Sequence, residues 1–109
     1  MAKGDSLGGF EQVTMLALAR LRDDAYGVSI RRELAEQTGR DVNIGAVYAT
    51  LDRLEAKGLV ESVIGEPTAE RGGRAKRYFR LTGAGAAVLE ESCRVLTGMM
   101  KGIRWGSLA

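Results

Sequence analysis

The chain has 109 residues, 45% of them hydrophobic and 28% charged, a balance that excludes a disordered protein and suits one folded domain. It contains no histidine and one cysteine, which excludes a Ser-His or Cys-His catalytic pair and an internal disulfide. The formal net charge is only +2, so any strongly basic surface has to be local.

Signals of several other protein classes are missing. The first ten residues contain no apolar core of signal-peptide length, and no run of about 18 apolar residues occurs. No Gly-rich phosphate motif follows a predicted strand and opens a helix. We therefore predict a cytoplasmic protein without a membrane partner, cofactor, metal site or enzymatic activity.

Two helices are predicted in the first third of the chain. Residues 8–22 carry a wide apolar stripe at helical spacing, which suggests burial on more than one side. Residues 28–39 form a second amphipathic helix with Gly39 as its C-terminal stop. The apolar positions are Phe10, Val13, Ala17 and Leu21 in the first helix and Val28, Ile30, Leu34 and Ala35 in the second.

A third helix is predicted over residues 43–57, with Asn43 as its N-cap. Its inward face comprises Ile44, Val47, Leu51 and Leu54, and its opposite face comprises Ala46, Thr50, Arg53 and Lys57. A helix that enters a DNA major groove, about 12 Å wide, needs small side chains and a few polar ones on its outer face. The alternative is an ordinary solvent-facing helix. The candidate DNA-binding residues here are Asn43, Gly45, Ala46, Tyr48, Thr50 and Arg53.

The hydrophobic period changes after Gly58. Residues 59–65 and 75–82 alternate as β-strands, and the turn between them holds the only proline and a Gly-Gly pair. The order helix, helix, helix, hairpin predicts a mainly α winged helix-turn-helix domain over residues 1–82. Residues 83–109 add a C-terminal dimerisation helix and tail to what is one compact domain overall.

The hairpin carries the local positive charge. Residues 71–80 hold five cations and no acid, so the other 99 residues of the chain sum to −3. Guanidinium groups match phosphate geometry, and a Gly pair lets the backbone approach another surface closely. Alternatively, the charges only keep the hairpin soluble. The wing residues predicted to bind DNA are Arg71, Gly72, Gly73, Arg74 and Lys76, while Phe79 and Leu81 are expected to anchor the hairpin to the core.

The last helix, over residues 83–103, is capped by Thr82 and carries a long apolar stripe. It can fold back on its own domain, or pack with the first helix against a second copy of the chain. Dimerisation fits a DNA-binding protein because two-fold operators need two-fold proteins. Trp105 either lines an effector pocket or covers an apolar edge. The predicted dimerisation residues are Phe10, Leu89, Cys93, Leu96, Met100 and Ile103.

Four segments, taken in order, resemble the PadR family of bacterial transcriptional regulators. They are LGGFEQVTMLALARL at 7–21, YGVSIRREL at 26–34, GAVYATLDRLEAKGLVES at 45–62 and RGGRAKRYFRLTGAG at 71–85. The combination of the Tyr-Gly pair, the G-x-x-Y-x-x-L-x-R-L-E-x-x-G-L run and the G-G-R wing makes the resemblance specific.

The resemblance implies a winged helix-turn-helix, a homodimer held by the first and last helices, and repression at a double-stranded DNA operator with an inverted repeat. It places Tyr48 and its neighbours near DNA. Some short members of the family sandwich flat drugs between tryptophans in the last helix, whereas CRVLTGMM at 93–100 has no aromatic residue. A small-molecule effector of unknown identity is expected as a further partner. Two rival interpretations are a winged-helix module that binds protein and an effector sensor that binds DNA weakly.

Overall fold

The computed structural model describes residues 7–65 and 75–108. Its helices are α1 (Gly9–Leu21), α2 (Gly27–Thr38), α3 (Ile44–Ala56) and α4 (Gly83–Met100), and its strands are β1 (Val60–Ile64) and β2 (Arg77–Leu81). This order confirms the predicted mainly α fold with a small two-stranded sheet. None of the helices in the described ranges is both long and apolar enough to cross a membrane.

Local capping signals set the helix ends. Asn43 Oδ1 accepts a hydrogen bond from the Gly45 N–H at 2.7 Å, and Thr82 Oγ1 accepts one from the Gly85 N–H at 2.9 Å. Gly39 ends α2 in the left-handed conformation, with a φ of 70°. The predicted end of α4 at residue 103 is wrong, because the backbone becomes extended directly after Met100, with a ψ of 137° at the next residue.

The core lies between the first three helices and the inner face of the hairpin. Its buried apolar side chains include Met15, Leu18, Ile30, Leu34, Val47, Leu51, Leu54, Val60, Phe79 and Leu89. Two positions of the predicted apolar helix faces do not face the core, since Val28 is 50% exposed and Ile44 is 38% exposed. Val28 lies about 200° around the helix from Ile30, so both cannot face inward. Ile44 begins α3, where residues 43–46 are all exposed.

The two strands form an antiparallel hairpin whose inner face closes the core. Val60 lies opposite Leu81, and Ser62 lies opposite Phe79. Phe79 is 2% exposed and Leu81 packs against the core, as the alternation predicted. The Phe79 N–H also donates to the Ala25 carbonyl oxygen at 2.8 Å, which attaches β2 to the segment between α1 and α2. The hairpin is therefore anchored to the helical part of the domain by Phe79, through both its buried ring and its backbone N–H.

Only the first part of α4 packs on the domain. Leu89 is 5% exposed, and Gln12 Nε2 donates to Ser92 Oγ at 2.9 Å across the contact with α1. Residues 94–108 are all exposed. The second part of α4 therefore projects from the domain and does not fold back on it.

Candidate nucleic-acid interface

The exposed face of α3 is made largely of small residues. Gly45, Ala46 and Ala49 are all exposed. A Cβ added to Gly45 would meet only Asn43 Oδ1, at 3.0 Å. The backbone of this face can consequently approach another surface closely, with Asn43 at its leading end.

Thr50 does not belong to this face. Its side chain is 1% exposed, and its Oγ1 accepts a hydrogen bond from Arg53 Nη2 at 3.0 Å. It lies three residues after Val47 and one before Leu51, both fully buried, so the helical period turns it toward the core. The prediction that Thr50 lies on the exposed face is therefore wrong, and Thr50 leaves the candidate DNA-binding set.

Arg53 and Lys57 form an ion cluster with Glu11 of α1. Lys57 Nζ lies 3.1 and 2.9 Å from the two Glu11 carboxylate oxygens, and Arg53 Nε lies 4.0 Å from one of them. Burial by itself would raise the pKa of Glu11, but the Gly8 N–H, Lys57 and Arg53 together hold that pKa below its ordinary value. Arg53 is 57% exposed and lies on the side of α3 that faces α1.

Sequence reasoning missed Glu11, although a signal for it exists. Glu11 follows Gly8 by three residues, and the Gly8 N–H donates to Glu11 Oε1 at 2.9 Å. A glutamate at this spacing is the residue that bonds back to a helix N-cap. The sequence can suggest that capping contact, but not the second role of the carboxylate as the partner of two cations on α3.

Tyr48 joins α3 to the start of α2. Its side chain is 40% exposed, and its ring centroid lies 6.5 Å from that of Phe79. Its hydroxyl lies directly against Gly27, where an added Cβ would be 2.1 Å from the hydroxyl oxygen. The glycine of the Tyr-Gly pair thus makes room for the tyrosine of α3.

The base of the hairpin is an aromatic cluster covered by a lysine. Lys76 Nζ lies 3.8 Å from the centroid of the Tyr26 ring, and Tyr26 meets Tyr78 edge to face at 5.7 Å. A cation above a ring face is attracted by the ring quadrupole, so Lys76 is held toward the domain. The predicted wing-tip residues lie outside the described part of the chain: Arg71, Gly72, Gly73 and Arg74.

Two further cations of the basic run are paired within the protein. Arg77 Nη2 lies 2.7 Å from Glu55 Oε1, and Arg80 Nε lies 2.6 Å from Glu61 Oε1. Exposed pairs of this kind contribute only about 0–1 kcal/mol to stability. They do offset charge, however, so the described part of the hairpin is less basic than its run of cations suggests.

The predicted dimerisation residues divide into two groups. Phe10 and Cys93 are partly buried against the core, and Leu89 is 5% exposed. Assigning Leu89 to a dimer surface is wrong, because it packs within its own chain and has little area left to bury. The second group remains exposed: Leu96 by 47%, Met100 by 48% and Ile103 by 38%.

Comparison with known proteins places the chain in a family. A model of the transcriptional regulator PadR-like family matches residues 15–91. The chain belongs to the PadR-like family of transcriptional regulators. It is 36% identical over 84 residues to the transcriptional regulator Rv3488 of Mycobacterium tuberculosis, a match that covers 77% of this chain and 74% of the relative. The PadR-like family consists of transcriptional regulators rather than enzymes.

Solved structures share the fold of this PadR-like chain. A complex structure of hsRosR-S4 superposes with a TM-score of 0.73 at 27% identity, covering 95% of this chain and 84% of that one. A structure of RosR from H. salinarum superposes with a TM-score of 0.71 at 27% sequence identity, covering 91% of this chain and 82% of that one. A PadR family transcription regulator from Clostridium difficile R20291 superposes with a TM-score of 0.65 at 24% sequence identity, covering 84% of this chain and 95% of that one. This likeness supports the fold.

Proposed function

We propose that this PadR-like regulator is a sequence-specific DNA-binding repressor that acts as a homodimer and responds to a ligand or a stress signal. The observation that carries the proposal is the outer face of α3, where exposed small residues adjoin the cap at Asn43. A major groove about 12 Å wide accepts such a helix face. The candidate DNA contacts are Asn43, Gly45, Ala46, Tyr48 and Arg53 of α3, with Arg71, Gly72, Gly73, Arg74 and Lys76 from the predicted wing. Arg53 and Lys76 are engaged within the free chain, with Glu11 and Tyr26, and would exchange those contacts for phosphates.

The projecting part of α4 supports the homodimer. This part of α4 and the segment just after it carry large apolar side chains that are 38% to 73% exposed: Val95, Leu96, Met99 and Met100 of the helix and Ile103 beyond it. A concentrated exposed apolar surface of this kind marks an interaction site. Pairing it with a second copy would present two α3 helices to half-sites about 34 Å apart, one turn of DNA.

The DNA-binding part of the proposal is tested by Arg74→Ala, with Arg20→Ala on α1 as the matched control, because Arg20 is 59% exposed and lies outside the proposed DNA and dimer contacts. We expect Arg74→Ala to weaken binding to specific and random duplexes alike and to reduce the salt slope by about 2, because the homodimer loses one phosphate contact in each protomer. The Arg20 variant should bind like the wild type. Unchanged affinity and slope in Arg74→Ala would contradict a phosphate contact by the wing, whereas the absence of salt-dependent binding by the wild type would contradict DNA binding altogether.

The homodimer is tested by Leu96→Asp, because a charge on the apolar face of α4 opposes its burial. We expect sedimentation to change from a dimer to a monomer and operator affinity to fall with it. Ile64→Asp is the control for sedimentation, since Ile64 is 69% exposed on β1 and lies outside α4. Its operator affinity is not compared, because a new acid beside the wing opposes phosphate binding. A wild type that sediments as a monomer at micromolar concentration would overturn this part of the proposal.

Repression and its relief are tested together. A reporter placed behind the upstream region of the gene should be silenced by the wild type and active in its absence. Trp105 is 63% exposed beyond the end of α4, so its fluorescence can report ligand binding. A saturating fluorescence change that accompanies release of the operator supports ligand-responsive repression, and activation of the reporter by the wild type would contradict repression.

A further inference from the structure

A second exposed apolar surface lies at the helix-turn-helix, away from α4. Val28 is 50% exposed, Ile44 is 38% exposed and Tyr48 is 40% exposed. Val28 and Ile44 lie in the first turns of α2 and α3, and Tyr48 follows Ile44 one turn further along α3. Val28 and Ile44 line the same surface groove together with Arg31 and Asn43. We name Val28, Ile44 and Tyr48 the apolar corner.

The fold does not require an apolar side chain at position 44. Core packing of α3 is provided by Val47, Leu51 and Leu54, which are fully buried. Ile44 is the first residue of the helix and projects beyond them. An exposed aliphatic side chain at this position leaves apolar area in water, which is unfavourable in the isolated chain. A binding partner that covers Ile44 would remove this cost.

The neighbours of Ile44 determine what kind of partner fits. Asn43 precedes it, Gly45 follows it, and Ala49 lies further along the exposed face. A partner can therefore approach the backbone of this turn closely, while the Ile44 side chain projects from it. In the major groove of DNA the apolar group presented at a base edge is the C5-methyl group of thymine.

We propose that Ile44, with Val28 beside it, contacts the C5-methyl group of a thymine in each operator half-site and so selects that base. This inference rests on the proposed DNA-binding function and adds one base preference to it. One cation and one acid line the groove beside these residues, because Arg31 Nη2 lies 3.3 Å from the Asp41 carboxylate and both side chains border it. These two charges offset each other, so the base preference rests on the apolar contact with the methyl group.

The test compares thymine with deoxyuridine, which has the same hydrogen-bonding groups and lacks only the methyl group. An operator is first selected from random duplex DNA with the full-length wild-type chain. Each thymine is then replaced in turn by deoxyuridine, and affinities are measured for the wild type, Ile44→Ala and the control Leu108→Ala. Leu108 is a suitable control because it is 65% exposed in the C-terminal tail.

We expect one replacement per half-site to weaken the wild type and the Leu108 variant about three- to tenfold, and to leave Ile44→Ala unaffected. Ile44→Val should retain most of the discrimination, because it keeps an aliphatic group at the same position. Ile44→Val and Leu108→Ala should unfold within about 2 °C of the wild type. Ile44→Ala should unfold about 4–8 °C lower, because Ile44 is 38% exposed and the substitution removes a largely covered side chain, so affinities are compared at a temperature where every variant is folded.

The outcomes separate this inference from the proposed function. If no duplex is selected and no salt-dependent binding is seen, the proposed function fails and the inference fails with it. If an operator is bound but no deoxyuridine position distinguishes the wild type from Ile44→Ala, the proposed function stands and the thymine contact is overturned.

Discussion

Glu11 and Lys57 are 46 residues apart in sequence and form a two-pronged ion pair, with Lys57 Nζ at 3.1 and 2.9 Å from the two carboxylate oxygens. The pair attaches α1 to the C-terminal end of α3. The next residue of α1, Gln12, bonds to Ser92 of α4. Adjacent residues of α1 therefore contact both the candidate DNA-reading helix and the helix that projects from the domain.

Glu11→Gln should destabilise the fold by about 1–3 kcal/mol at neutral pH, because it removes a nearly buried charge that is hydrogen-bonded by a cation and a backbone N–H. The pKa of Glu11 is lower in the native chain than in the unfolded one. Its stabilising contribution is therefore fully present above about pH 4.3, the unfolded value, and is lost as the pH falls through the native pKa. Urea denaturation across this range should show the difference between wild type and variant shrinking in acid.

The control for this experiment is Glu61→Gln. Glu61 also accepts from a cation, Arg80, but its side chain is 48% exposed. We expect the substitution to destabilise the fold by no more than about 1 kcal/mol. Equal effects of the two substitutions would show that burial of Glu11 adds nothing to its ion pair.

Gly85→Ala should be strongly destabilising. An added Cβ would lie 1.9 Å from the Leu59 carbonyl oxygen, which is backbone and cannot rotate away. Thr82 holds this close approach, because its N–H donates to the same oxygen at 3.1 Å. We expect a destabilisation of about 1–3 kcal/mol or more.

Gly83→Ala is the matched control on the same helix, with nothing within 4 Å of the new Cβ, and should be neutral or stabilising by up to about 1 kcal/mol. Coincident urea midpoints for the two variants would contradict the close contact.

Gly27→Ala should destabilise the fold mainly by forcing the Tyr48 side chain out of its position. The new Cβ would be 2.1 Å from the Tyr48 hydroxyl oxygen and 2.5 Å from the ring carbon that carries it. We expect a destabilisation of about 1–3 kcal/mol in the wild-type background and much less in a Tyr48→Ala background. A double-mutant cycle by thermal or urea unfolding measures the coupling. A coupling near zero would mean that the penalty arises from a contact other than Tyr48.

Asn43 has a structural role that can be separated from its proposed contact with DNA. Asn43→Ala should cost about 1 kcal/mol, because the Gly45 N–H loses its acceptor. Asn43→Ser keeps a capping oxygen and should keep stability. If Asn43 also contacts a base, the serine variant will unfold like the wild type and still bind the operator more weakly. Full operator affinity in the serine variant would limit Asn43 to capping.

Much of the fold was predictable because its signals are local. Asn43 and Thr82 cap helices through N–H groups two and three residues away, and Gly39 ends α2 at its own position. The alternation in β2 likewise identified Phe79 as an anchor. The same local reasoning failed at Thr50 and Ile44. A helical period relates residues of one helix to each other, but small errors in choosing the inward direction move residues at the edge of a face from one side to the other.

What the sequence by itself determined is the order of the elements, their caps and the family, since each depends on short-range spacing along the chain. Only the tertiary structure decided the contacts of the three cations that it describes in the hairpin. Lys76 covers Tyr26, Arg77 pairs with Glu55 of α3, and Arg80 pairs with Glu61 across the sheet. Opposite charges pair wherever the fold brings them within a few ångströms, and that distance is set by how helices and strands pack rather than by their separation in sequence.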